Sequence, residues 1–270
     1  MKNIKMIVTD LDRTLLRKDK TISDYTKVIL NKCHKSGFQI VFATARPERV
    51  TRQWQVCPSS YVIANNGATI THGRVEIQNI IIPEVAKHSI IKRFISEESI
   101  TGICAEIGDF LYSNDTDFST WVTVLDTDTG WNPVYSDFTT PVTEHTCKFS
   151  VECSDREVLF DILQDYPELQ IFPNSGEQWY QITHKSVSKF NAILYLAELN
   201  NIQPQDIIAF GDDYNDIEML KKCGVGVAVE NAIAEAKKVA DYVCDSNDCD
   251  GVAKFIEKYL LFVPYANEHD

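Results

Sequence analysis

Lys5 to Leu16 reads KMIVTDLDRTLL, and the fold turns on this stretch. Met6, Ile7 and Val8 form a short apolar, partly β-branched run of the kind that makes a fully buried strand, and Asp10-Leu11-Asp12-Arg13-Thr14 follows at once. Two carboxylates therefore sit at the carboxyl end of a strand. That is the edge where open α/β sheets bind ligands, beside a switch in strand order. Residues i and i+2 of an extended chain point the same way, so Asp10 and Asp12 face one small volume. Side by side at about 4 Å they repel by roughly 4 kcal/mol at an effective dielectric near 20, which calls for a cation or a shared proton. A capped turn is the alternative, because Asp and Thr also favour turns and helix starts.

The far end of the chain repeats the pattern. Ile207 to Phe210 is a second apolar strand, and Gly211-Asp212-Asp213-Tyr214-Asn215-Asp216 follows it. Asp212, Asn215 and Asp216 are thereby delivered to the same kind of edge, and carboxylates gathered there with Asp10 and Asp12 cannot all be ionised without a counter-charge. Hard oxygen ligands, few histidines and no cysteine in these motifs point to Mg²⁺ and away from zinc.

Between the two stretches the chain alternates. Ser23 is placed to cap a helix carrying Val28, Ile29 and Cys33 on one face, with Gly37 as its C-terminal glycine. Phe38 to Phe42 reads as a buried strand ending in Ala43-Thr44-Ala45-Arg46-Pro47, where Pro47 suits the first turn of a helix. Thr44 and Arg46 then lie in a strand-to-helix loop that favours an anion. Tyr61 to Ala64 make a third strand, Asn65-Asn66-Gly67-Ala68 a turn, and Ala68 to Ile77 a hairpin about His72-Gly73. This is the βαβ pattern of a doubly wound, mainly parallel sheet in an α/β fold.

From Pro83 the character changes. A helix opens at Pro83-Glu84 with Ile90, Ile91, Phe94 and Ile95; strands at Gly102 to Ile107 and Phe110 to Ser113 join at Gly108-Asp109. Asn114 to His145 is Thr- and Asp-rich and broken by Pro, as lids and insertions often are. Cys147 to Glu152 is a strand, Ser154-Asp155-Arg156-Glu157 reads as a capping box, and strands near Leu169 to Phe172 and Gln178 to Ile182 close the block. Residues 83–184 are thus expected to form an inserted, smaller α+β domain, with 1–82 and 185–270 as the core. The parallel pattern resumes with a helix from Ser188, strands at Val225 to Val229 and Tyr242-Val243, and a last helix from Gly251.

The net charge of −13, from 39 acidic and 26 basic residues, argues against a general nucleic-acid or anionic-membrane partner. An anionic small substrate stays compatible with it, since a metal and one or two buried cations invert the field locally. No apolar run reaches the length of a membrane span and no export signal precedes Asp10, so a cytoplasmic protein is expected. Eight cysteines without a CxxC spacing read as buried free thiols.

DLDRT, an apolar strand ending in Thr44, Lys189 and then GDDYND, in this order, resemble the four motifs of the haloacid dehalogenase-like phosphatases. The insertion, the Asn66-Gly67-Ala68 turn and the Gly251-Val252-Ala253 tail are similar to the Cof-like sugar-phosphatase branch with an inserted α/β cap. The resemblance implies Mg²⁺-dependent hydrolysis of a small organic phosphate monoester, a sugar phosphate or related metabolite. Asp10 would be the nucleophile that forms an aspartyl-phosphate, and Asp12 the general acid and then base. Thr44 and Lys189, with Arg46 and Asn66, would bind the substrate phosphate. Mg²⁺ would be held by the side chains of Asp10 and Asp212 and the backbone carbonyl of Asp12, with Asn215 and Asp216 supporting. The cap would exclude water and select the leaving group, in a monomer or homodimer.

Lys185 rivals Lys189 for the cationic role, and Arg46 serves equally well in an ion pair with Glu48 or Glu84. Arg13 stands where the family usually has a small residue, most often Gly; Ala45 replaces a Gly, and Glu230 precedes Asn231 where Gly is common. Tyr112, Trp121, Trp131 and Trp179 suit either a stacked sugar or a packed core. A phosphomutase using the same aspartyl-phosphate, and a non-catalytic phosphometabolite sensor, are the alternative functions.

Overall fold

The computed structural model describes residues 3–54, 60–73, 75–116, 133–140, 145–173 and 178–261. They divide into two compact units: Met1–Thr44, Trp54–Val62 and Ile193–Asp270 form the first, Ala45–Gln53 and Ile63–Ala192 the second.

The first unit opens with β1 (Met6–Thr9), buried at every position, as a strand covered on both faces must be. α1 (Asp24–Lys35) follows; the Ser23 hydroxyl accepts from the Thr26 amide and caps its start. Its buried face is Thr26, Ile29, Leu30 and Cys33. Val28, expected on that face, is 52% exposed, because it lies about 100° round the helix from Ile29. β2 (Gln39–Ala43) comes next, and the chain leaves the unit within β3 (Tyr61–Ala64).

The second unit holds α2 (Glu48–Thr51), whose N-cap is Pro47, and the hairpin of β4 (Thr69–His72) and β5 (Val75–Asn79). Gly73 takes φ +63° at the turn, a conformation open to glycine at no steric cost. α3 (Glu84–Ser96), β6 (Ile100–Ile107), β7 (Phe110–Ser113), β8 (Pro133–Tyr135), β9 (Thr146–Cys153), α4 (Arg156–Leu163), β10 (Leu169–Pro173) and β11 (Trp179–His184) complete it. Six strands make a sheet in the order β10-β11-β9-β6-β7-β8, antiparallel except for the parallel pair β7 and β8. Both helices contribute to one core: Ile90 and Phe94 of α3 and Leu159 and Ile162 of α4 share it with Phe149 and Val151, and the Phe94 and Phe149 rings meet edge to face at 6.0 Å. Ile95 turns out from this face, 44% exposed. The cap of α4 is Asp155, which accepts from the Glu157 amide, one residue later than the expected Ser154.

α5 (Lys189–Leu199) leads back to the first unit and to β12 (Ile207–Gly211), α6 (Ile217–Lys222), β13 (Val225–Val229), α7 (Ala234–Val239), β14 (Tyr242–Cys244) and α8 (Gly251–Ile256). The strands of this unit run in the order β14-β13-β12-β1-β2-β3, and the paired registers from β14 to β2 are all parallel. From β1 the chain winds outward through β2 and β3 on one side and, later, through β12, β13 and β14 on the other. The strand order thus reverses between β1 and β12, which sets the ligand-binding crevice of a doubly wound sheet at their carboxyl ends.

Among the described residues, no helix is long and apolar enough to cross a membrane. The seven described cysteines are free; five are buried, but Cys249 is exposed and Cys244 partly so, against the expectation of burial throughout. Cys57, Trp121 and Trp131 lie outside the described residues.

Candidate active site

Asp10 leaves β1 at the switch point, its amide donating to the Phe210 carbonyl of β12 at 3.0 Å. The next residues wind into one wide turn, Leu11–Leu15, closed by the Leu16 amide on the Leu11 carbonyl at 2.8 Å. Arg13 adopts φ +60° within it, the left-handed region that glycine enters without cost. Asp212 follows β12 at the matching position. The Thr14 hydroxyl donates to Asp212 Oδ1 at 2.7 Å, so the two turns are tied across 198 residues of sequence. Arg13 Nε stands 3.6 Å from Asp212 Oδ2, and Arg13 and Asn231 exchange contacts between side chain and backbone carbonyl.

The third acid is Asp216. Its Oδ2 accepts from the amides of Asp212 at 2.9 Å and Asp213 at 3.2 Å, while Asp213 closes a capping box at the start of the turn Tyr214–Asp216. Asp10, Asp212 and Asp216 are 6%, 2% and 0% exposed, and each offers an oxygen such that all three lie within 4.8 Å of one another. At that spacing two carboxylates repel by about 3 kcal/mol at an effective dielectric near 20. Three hard, buried carboxylate oxygens converging at this spacing are the donor set a hard metal ion takes.

Asp12, expected to face the same volume, is more exposed. Its Oδ1 accepts from Lys20 Nζ at 2.7 Å, and its side chain is 30% exposed. Asn215 lies in the turn between Asp212 and Asp216, half-buried. Thr44 directly follows β2; since Thr9 pairs with Phe42, Thr44 lies at the same carboxyl edge one strand from Asp10, and it is 1% exposed.

Arg46, Asn66 and Lys189 belong to the second unit, which links them to one another. The Asn65 amide donates to the Arg46 carbonyl at 2.9 Å. Asn66, at φ +59°, donates from Nδ2 to Gln181 Oε1 at 2.7 Å. Gly67 takes φ +106°, and a Cβ there would lie 2.3 Å from the Ser188 carbonyl oxygen and 3.2 Å from the Lys189 nitrogen, so only glycine lets this turn press on the start of α5. Lys189 is 1% exposed, whereas its rival Lys185 reaches the Pro167 carbonyl at an exposed position. Glu48 pairs with Arg52, and Glu84 with Lys87 and His145.

Three contributors were not assigned a role from the sequence. Thr14 holds Asp212, Lys20 holds Asp12, and Lys148 of β9 donates to the Ala45 carbonyl at 2.9 Å in the loop after Thr44. Thr14 was readable as the last residue of DLDRT; the two lysines carry no local signal. Burial lowers the Lys148 pKa, with Glu106 opposing, and burial pushes the neighbouring Cys147 thiol up to about 12, which leaves it an unreactive thiol. Trp179 packs across Gly102, where a Cβ would meet its ring at 2.8 Å, and Tyr112 packs on the core of the six-stranded sheet. Both are structural aromatics in this respect.

The sequence model described as haloacid dehalogenase-like hydrolase matches residues 7–256. Among curated proteins, the 5-amino-6-(5-phospho-D-ribitylamino)uracil phosphatase YcsE of Bacillus subtilis (strain 168) is 27% identical over 266 residues, covering 96% of this chain and 97% of the relative. Among solved structures, the phosphatase BT1666 of Bacteroides thetaiotaomicron is similar with a TM-score of 0.81 at 25% identity, over 94% of each chain. The subclass IIB sugar phosphatase BT4131 shares the fold, with a TM-score of 0.78 at 21% identity over 96% of this chain and 100% of its own.

Proposed function

The chain belongs to the haloacid dehalogenase-like hydrolases and is a phosphatase of that type, and on that premise we propose that it hydrolyses a small organic phosphate monoester, a sugar phosphate or related metabolite, with Mg²⁺ as its cofactor. The observation that supports this most is the meeting of Asp10, Asp212 and Asp216, buried, at the switch point of the parallel sheet. The ribityl phosphate named for YcsE agrees with this substrate class.

In this mechanism an Asp10 oxygen attacks phosphorus, and the bond from phosphorus to the leaving oxygen breaks as the aspartyl-phosphate forms. Asp12 gives a proton to the leaving oxygen, then takes one from the water that cleaves the intermediate. Lys20 Nζ donates to Asp12 Oδ1, so that contact opens when Asp12 turns to the leaving oxygen. The Thr44 hydroxyl, the Lys189 ammonium, Arg46 and Asn66 take the substrate phosphate in this reading. Asp10 and Asp212 side chains and the Asp12 carbonyl would hold Mg²⁺, supported by Asn215 and Asp216. When bound, the ion neutralises charge on the phosphate oxygens.

Residues 83–184 are assigned as the cap that selects the leaving group, on a core of 1–82 and 185–270. The compact units have other limits, since α2 and the β4–β5 hairpin group with the inserted sheet. The protein is taken to work in the cytoplasm, as a monomer or homodimer, in keeping with its free thiols.

The test is phosphate release from a panel of sugar phosphates, ribityl phosphates, nucleotides and pyridoxal phosphate, each with Mg²⁺ and with EDTA. Metal-dependent release concentrated on one class supports the proposal and names the leaving group. Isomerised sugar phosphate without free phosphate would make the enzyme a mutase, and Mg²⁺-dependent binding without turnover would make it a sensor.

A further inference from the structure

A polar cleft of about 340 Å³ lies wholly within the second unit, walled by α2, the β4–β5 hairpin and the adjoining ends of β6 and β9. Three side-chain oxygens in its lining, Glu48 Oε1, Asn65 Oδ1 and Thr71 Oγ1, are buried and meet no hydrogen-bond partner in the protein. Thr71 and Asn65 are 6% and 5% exposed. Native proteins rarely leave one such atom unsatisfied, and several around one cleft mark a place that something else fills.

Their neighbours fix which atoms are on offer. Asn65 Nδ2 donates to Cys147 Sγ at 3.4 Å, which leaves its carbonyl oxygen for the cleft. Glu48 Oε2 accepts from Arg52 at 2.7 Å, which leaves Oε1. Arg49 Nη2 and Glu106 Oε2 are joined at 2.7 Å, each side chain 4% exposed, and the buried Arg49 Nε offers a donor among these acceptors. Carboxylate and amide oxygens only accept, so the occupant must donate; the Thr71 hydroxyl does either, so it gains by accepting as well.

Charge disfavours an anion. Among the described lining residues the carboxylates of Glu48, Glu76, Glu106 and Asp109 outnumber the guanidiniums of Arg49 and Arg52, with His145 the remaining titratable base, so a phosphate would enter an excess of negative charge. The volume equals that of roughly ten waters, enough for one small organic molecule. We propose that this cleft is a binding site for a small uncharged polyol of five or six carbons. Hydroxyl groups both donate and accept, carry no charge, and fit the volume. Asn65, which lines the cleft, also holds the Arg46 carbonyl through its amide. The site is independent of turnover, and its test needs none.

Isothermal titration calorimetry on the full chain without metal, using ribitol, sorbitol, sorbitol 6-phosphate, inorganic phosphate and spermidine, tests the proposal. A polyol is expected to bind the wild type. Thr71→Val, which removes one hydroxyl, should weaken it about tenfold, and Thr71→Phe, which fills the cleft, should abolish it with the melting temperature little changed. If Thr71→Phe does not fold, Thr71→Val decides. Absence of polyol binding by the wild type means that water alone fills the cleft and overturns the proposal. So does polyol binding that neither variant alters, and so does tighter Thr71-dependent binding of a phosphate or of spermidine.

Discussion

A Cβ on Gly211 would lie 2.5 Å from the Cβ of Asp216. The strand that carries the acidic loop ends in glycine because an aspartate fills the space beside it, and that aspartate accepts from the Asp212 and Asp213 amides. Gly211→Ala therefore pushes Asp216 off both amides and moves Asp212 with them. A loss of about 1–3 kcal/mol of stability is expected from the overpacking, together with a clear rise in the Mg²⁺ concentration that half-activates phosphate release. Denaturant unfolding and a metal titration measure the two; a variant equal to wild type in both would remove Asp216 from the site.

Asp10→Asn keeps the shape of the side chain and removes the nucleophile. Turnover should fall by roughly 10³-fold or more, while the fold is kept, since the buried side chain keeps its volume. Phosphate release and thermal unfolding on one clean preparation check both halves. Unchanged turnover would take Asp10 out of the reaction.

The same convergence makes stability depend on metal. Mg²⁺ at a hundred times its dissociation constant is expected to stabilise the chain by about 2.7 kcal/mol, and EDTA to reverse the gain. Asp212→Asn should erase the response. A melting temperature flat from EDTA to excess Mg²⁺ would deny the acidic cluster its metal.

The strands were legible where burial makes sequence continuous. Tyr61–Ala64 and Val225–Val229 have the bounds their apolar runs suggested, because a strand covered on both faces needs an apolar or small residue at each place. Asp10 and Asp212 were legible for the same reason: each follows such a strand. Helix faces were less so. Val28 and Ile95 adjoin buried positions but turn outward, since hydrophobicity alone does not fix the angle of a face that several neighbours share. β8 opens on Pro133 after a Thr- and Asp-rich stretch and gives no alternation to read. The bonds from Thr14 to Asp212 and from Lys20 to Asp12 depend on where two turns meet in space, which no local pattern encodes. Arg13 marks the boundary between these cases: the departure from glycine was visible, but not that its φ is +60° and its guanidinium faces Asp212.

That placement makes Arg13→Gly informative. Glycine relieves the left-handed backbone but adds freedom to the unfolded chain, so net stability should stay within about 1 kcal/mol of wild type. The guanidinium, 3.6 Å from Asp212 Oδ2 and half exposed, competes with a cation for that carboxylate. Its removal should lower the half-saturating Mg²⁺ concentration about two- to fivefold, the range of a screened single charge. A higher Mg²⁺ requirement would instead make Arg13 a support that orients Asp212.

Asp250 provides the pH dependence. It stands at φ +57° ahead of α8, accepting from Arg17 Nη2 at 2.7 Å, the Ser23 hydroxyl at 2.8 Å and the Thr26 hydroxyl at 3.2 Å. Burial pushes its pKa up, but the Arg17 guanidinium and the two hydroxyls outweigh burial and hold it below the ordinary carboxylate value. A carboxyl lower in the folded than in the unfolded state contributes fully above its unfolded value, near 4, and loses that contribution as pH falls through the folded one. Asp250→Asn tolerates the same left-handed backbone and should melt lower than wild type at pH 7. The two melting temperatures should converge as pH drops below about 4. Thermal unfolding across pH 3 to 7 reads this directly. A gap that stays constant to the acid end would mean that the loss comes from packing around Asp250 and not from its charge.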